Sequence, residues 1–144
     1  MKTLLAFLVL MLAAIPGWTQ EKTVGGLVIN LGLMPAQKAM QVGGHSEAHS
    51  HEFTSPSASQ HLLVVLADKK TGMRMANARV VVEVIDPKGR AEKKTLTSTQ
   101  AAGLPDYSEI FEFGWTGKYT VRVSVTPTPG AKAVTARFIV NHAV

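Results

Sequence analysis

Four of the five histidines, His45, His49, His51 and His61, fall within 17 positions, with Glu47 and Glu52 among them. Neutral imidazole is a ligand for Cu(II), Zn(II) or Ni(II), and carboxylates nearby make such a site one of nitrogen and oxygen donors. In an extended chain alternate side chains share a face at about 3.3 Å per residue, so His49 and His51 stand roughly 6.6 Å apart and can converge on one ion. A loop bend then brings His45 or His61 in as a third donor. Methionine offers a second donor type. Met34 and Met40 precede the histidines, and Met73 and Met75 follow them in the turn after His61. Thioethers prefer Cu(I), so the two donor types together point to copper, with zinc as the alternative, and to no organic cofactor. The candidate ligands are His45, His49, His51, His61, Met73 and Met75. Two plainer readings stand beside this one: polar loops hold histidine as an unspecific or pH-responsive segment, and methionine commonly fills gaps in a core.

The elements that position these residues are strands. Tyr119, Val121, Val123 and Val125 alternate with Thr120, Arg122, Ser124 and Thr126, and Val134, Ala136, Phe138 and Val140 alternate with polar neighbours, which predicts two half-buried strands. Pro127-Thr128-Pro129-Gly130 between them has turn chemistry. Upstream, 61–68 is a short branched apolar run and 78–85 alternates up to an Asp86-Pro87-Lys88-Gly89 turn. Segments 23–33, 95–99 and 107–113 complete about seven strands, the count and spacing of a single all-β, immunoglobulin-like β-sandwich. Tyr119, just after Gly114-Trp115-Thr116-Gly117-Lys118, has the placement of a tyrosine corner. The histidines lie mostly in 37–60, a stretch of Ser, Gly, Ala and His with no apolar period, long enough to be a functional loop.

Residues 1–20 have the parts of a cleavable signal peptide. Lys2 supplies the charge, an apolar run extends to Ile15, and Pro16-Gly17 interrupts it before the polar Thr19-Gln20-Glu21-Lys22. The run is too short to span a bilayer, and no later segment is longer. The expectation is a periplasmic or secreted domain over 21–144 with no integral membrane segment. The chain has no cysteine, which excludes disulfides, thiolate metal sites and a cysteine nucleophile. Its net charge of +5, reduced to about +4 when Lys2 leaves, is scattered and not interleaved with aromatics, so nucleic acid is not an expected partner. There is no GxSxG elbow, HExxH helix or phosphate-binding glycine loop, and the chain is not expected to be an enzyme. Asp106 and Glu109 are expected to flank a strand on its solvated side.

A resemblance rests on Val24-Gly25-Gly26-Leu27-Val28-Ile29-Asn30-Leu31-Gly32-Leu33-Met34-Pro35-Ala36 before the histidines. It continues in His61-Leu62-Leu63-Val64-Val65-Leu66-Ala67-Asp68, Thr71-Gly72, Ala76-Asn77-Ala78-Arg79-Val80 and Gly117-Lys118-Tyr119-Thr120-Val121. This layout resembles the small periplasmic immunoglobulin-like proteins related to the YtkA, FixH and CopC groups. The resemblance implies copper handling or assembly of respiratory metal centres. It carries over neither the N-terminal histidine chelate of copper-resistance proteins nor the FixH membrane anchors. The expected partner is therefore a metal ion or, alternatively, an envelope protein docked by a non-catalytic sandwich through a strand edge or the loop.

Overall fold

The computed structural model describes residues 18–36, 58–101 and 103–144. Among these are nine strands: β1 (Trp18–Val24), β2 (Leu27–Pro35), β3 (Ser59–Asp68), β4 (Arg79–Ile85), β5 (Ala91–Thr95), β6 (Thr97–Ala101), β7 (Leu104–Glu112), β8 (Gly117–Thr126) and β9 (Val134–His142). They form two antiparallel sheets, ordered β1-β2-β3-β7-β6 and β5-β4-β8-β9. The architecture is the all-β sandwich expected from the alternation, and no helix among the described residues is long and apolar enough to cross a membrane.

The count rises from seven to nine because two stretches that read as single strands are each two. The expected strand at 23–33 is a hairpin: Gly25 and Gly26 both have positive φ, 56° and 77°, the requirement of a tight two-residue turn that matches strand twist. A Cβ at Gly25 would also run into Val134 Cγ1. The new strand, β1, begins at Trp18, three residues before the domain start expected at Glu21. The expected strand at 95–99 is broken at Leu96, where the chain leaves one sheet for the other. Its side chain is buried between the layers and its N–H donates to Val80 O at 2.9 Å. Most of 101–106, expected as a loop, is strand: Ala101 ends β6 opposite Leu104, and β7 runs on through Pro105 and Asp106, which face Gln100 and Thr99.

The core lies between the sheets. Leu27, Ile29, Leu31 and Leu33 of β2 and Leu62, Val64 and Leu66 of β3 face Val80, Val82, Val84, Val121, Val123, Val125 and Phe138 of the other sheet. Two buried tyrosines fix loops to this core. The Tyr119 hydroxyl accepts from Trp115 N and donates to Trp115 O, both at 2.9 Å, which is the expected corner. The Tyr107 hydroxyl does the same for the β3–β4 connection, accepting from Ala78 N at 3.0 Å and donating to Met75 O at 2.9 Å.

Side chains close the sandwich along its flanks. Gln20 Nε2 donates to Ile139 O at 3.0 Å and Lys22 Nζ donates to Arg137 O, so β1 covers acceptors on the β9 edge. On the opposite flank Lys94 Nζ of β5 donates to Ile110 O of β7 at 2.6 Å. Such contacts occupy edge groups that would otherwise template another strand. Strand β6, with exposed and uncharged residues at 97–100, is the barest edge among the described residues.

His142 packs edge-on against the Phe113 and Tyr119 rings, with centroids 5.4 and 6.0 Å away, and its Nε2 is buried without a hydrogen-bond partner. Burial lowers its pKa below 6.5, partly offset by a bond to the Phe113 backbone. The unfolded chain therefore protonates this group before the native one does. Stability is full above about pH 6.5 and falls as the pH drops below it. In urea melts between pH 7.5 and 5, His142→Gln should flatten this decline. Tyr119→Phe should lower unfolding free energy by about 1–3 kcal/mol at neutral pH, because two backbone groups lose their partner.

Candidate metal centre

Of the candidate ligands, His45, His49 and His51 lie outside the described residues, while His61, Met73 and Met75 are placed. His61 is the third residue of β3. Because Leu62, Val64 and Leu66 face the core, His61, Leu63 and Val65 must face away from it, on the outer surface of the five-stranded sheet. The side chain is nonetheless half-buried there, and its Nδ1 is fully buried with no hydrogen-bond partner. An orphaned buried polar atom of this kind costs about 1–3 kcal/mol. Burial lowers the His61 pKa, opposed by the negative charges of Asp106 and Glu109, so the ring is held toward its neutral, lone-pair-bearing form.

Its cross-strand neighbours are Met34 on β2 and Ile110 on β7. Met34 is half-buried on the same outer surface. The pairing was not legible from composition or spacing. It depends on the register between two strands separated by more than 20 residues, and parity alone says only that each residue faces outward.

Met73 and Met75 are placed elsewhere. The chain after β3 turns at Asp68, whose carboxylate accepts from Lys70 N at 2.8 Å and Thr71 N at 2.9 Å, so the Asp-x-x-Thr-Gly stretch is turn chemistry. It then runs back along the far end of β3, with Met73 O accepting from Asp68 N and Met75 N donating to Leu66 O. Five to seven strand residues separate His61 from that point, roughly 17–23 Å. Met73 and Met75 therefore cannot share an ion with His61. Met73 is 70% exposed, whereas Met75 packs against the core.

The carboxylates also differ from expectation. Asp106, expected on a solvated side, is 5% exposed and accepts a hydrogen bond from the Thr99 hydroxyl. The Glu109 carboxylate accepts from Ile110 N at 2.9 Å. A cleft of about 280 Å³ is lined by Asp86, Arg90, Glu92 and Glu112. Its acids already have partners: Asp86 pairs with Arg90 at 3.0 Å, Glu92 with Lys94 at 2.9 Å, and Glu112 accepts from Ser59 Oγ at 2.7 Å. Among the described residues no three histidine or carboxylate side chains converge in a way that could hold a metal ion. What this region offers is one neutral imidazole beside one thioether, a borderline and a soft donor on the strands that flank 37–57.

No protein-family model matches the sequence, and comparison with curated protein sequences finds no match. The fold has solved counterparts. A copper-bound glutamate-to-glutamine variant of FetP from uropathogenic Escherichia coli strain F11 superposes with a TM-score of 0.66 at 10% identity, covering 89% of this chain and 98% of the other. The copper-reconstituted P19 protein from Campylobacter jejuni gives 0.64 at 14% identity, covering 88% and 96%. A DUF4426 family protein from Pseudomonas aeruginosa PAO1 gives 0.62 at 15% identity, covering 86% and 94%. At these identities the likeness establishes a shared sandwich fold, in line with the scaffold-level resemblance read from the sequence.

The two downstream methionines differ in access, and this has a direct chemical readout. Dilute peroxide should convert Met73 to the sulfoxide well before Met75, as followed by peptide mass spectrometry. Equal rates would contradict their placement.

Proposed function

We propose that this chain is an exported copper carrier. In this reading the apolar leader is removed on export, with the cut ahead of β1, and the remaining domain binds copper in the periplasm or outside the cell. His45, His49 and His51 donate from the loop, and His61 donates from its root. The protein passes the ion on and catalyses no reaction.

The observation that carries the reading is the end of the β2–β3 ladder. Pro35 pairs with Gln60 and Met34 with His61, so the chain departs toward the histidine-rich stretch and returns from it at one place, beside an imidazole whose Nδ1 has no partner. The histidines at 45, 49 and 51 are thereby tethered within 16 residues of His61 in sequence. The fold is also one on which FetP and P19 have been solved with copper bound. The absence of cysteine fits a carrier whose ligands face no competition from thiols of its own chain.

Calorimetric titration of the dialysed mature domain tests the proposal. Cu(II) should bind at close to one equivalent and more tightly than Zn(II), and the His49→Ala/His51→Ala double variant should lose at least about tenfold in Cu(II) affinity, or about 1.4 kcal/mol. An unchanged affinity in that variant overturns the loop assignment.

A further inference from the structure

We infer that Met34 and His61 together form a Cu(I) site on the outer surface of the five-stranded sheet, the thioether sulfur and one imidazole nitrogen binding the ion from adjacent strands. The inference rests on the copper reading above and adds to it a ligand, an oxidation state and a position.

The backbone fixes the geometry. Ile110 O accepts from Lys94 and Ile110 N donates to Glu109, so both of its backbone groups point away from β3. In an antiparallel ladder, His61 and Ile110 are then a non-hydrogen-bonded pair, and His61 turns its own N–H and C=O toward β2. Met34 and His61 are accordingly a hydrogen-bonded pair, with Cα atoms about 5.5 Å apart and side chains rising from the same face. A methionine side chain is unbranched and has three rotatable bonds, so its sulfur can be brought beside the imidazole without moving the strand.

The chemistry of the surroundings selects the ion. Leu63 and Val65 continue the His61 face along β3, and Ile110 flanks the imidazole on the side away from Met34. No carboxylate stands directly opposite His61 in either neighbouring strand, and the nearby Glu109 carboxylate is engaged by Ile110 N. One sulfur and one neutral nitrogen, with the nearby carboxylates of Asp106 and Glu109 both taken up by hydrogen bonds from Thr99 and Ile110, suit soft Cu(I) over Cu(II), which wants more and harder donors. The His61 Nδ1, buried and without a hydrogen-bond partner, is the second and independent observation, because a native orphan polar group calls for a ligand or a functional role.

The test uses the mature protein labelled at methionine methyl carbons and titrated with Ag(I), a stand-in for Cu(I) that does not change oxidation state. The Met34 methyl resonance should shift while those of Met73 and Met75 stay in place. In anaerobic competition against a chromogenic Cu(I) chelator, Met34→Leu should weaken Cu(I) binding about tenfold or more, as loss of one of two soft donors requires, and leave Cu(II) affinity unchanged. A Met34 methyl unmoved by Ag(I), or a Cu(I) affinity unchanged in Met34→Leu, overturns the inference. The wild-type spectrum decides independently of how the variant folds. The loop assignment fails separately, through unchanged Cu(II) affinity in the His49→Ala/His51→Ala variant.

Discussion

Nine consecutive residue pairs, from Leu27 opposite Asp68 to Pro35 opposite Gln60, hold β2 against β3, and the character of both faces of the sheet follows from that alignment. In this register Leu27, Ile29, Leu31 and Leu33 join Leu62, Val64 and Leu66 in the core. A shift of either strand by one residue would turn its apolar set to solvent and send polar or half-buried neighbours inward. Four large aliphatic side chains on β2, or three on β3, at roughly 1.5–3 kcal/mol each make that shift cost on the order of 5–10 kcal/mol. Hydrophobic burial on the opposite face keeps Met34 and His61 outward, and the pairing of Leu33 with Leu62 beside them sets the two opposite one another. The pairing at the candidate metal centre is thus set by residues that never touch it.

Without disulfides, the loops of this domain are held by polar clamps anchored in the core. Tyr107 and Tyr119 are both buried, and each hydroxyl is saturated by one backbone donor and one backbone acceptor from a connection that would otherwise be loose. Gln20, Lys22 and Lys94 act similarly across the flanks, linking the two sheets where no ladder joins them. The bonds to Ile139, Arg137 and Ile110 also consume edge acceptors. One set of side chains therefore serves both cohesion and protection from edge-to-edge pairing.

Much of this fold was legible wherever the alternation was strong. Strands β3, β4, β8 and β9 appear within a residue or two of their expected positions, because Val, Leu and Phe at every second place leave little choice of face. The corner at Tyr119 was legible from its glycine-flanked approach. The hairpin at Gly25-Gly26 was missed because apolar residues resume at once on its far side, and the switch at Leu96 because a single buried residue between polar strands carries no period. The candidate centre was legible only in part. Clustering drew attention to His61, yet proximity in sequence favoured Met73 and Met75, which the turn at Asp68 carries to the far end of β3. Met34, more distant in sequence from His61, is adjacent in space through register alone. His45, His49 and His51 are outside the described residues.

The rooting of 37–57 on a closed ladder has a consequence for how this protein can vary. Closing a loop costs free energy that grows only with the logarithm of its length, about 0.6 kcal/mol for each doubling. The stem here is secured by the core beneath β2 and β3. Its length and donor content can therefore drift widely between descendants of one ancestor while the sandwich stays intact, so ligand chemistry and scaffold are free to evolve at different speeds.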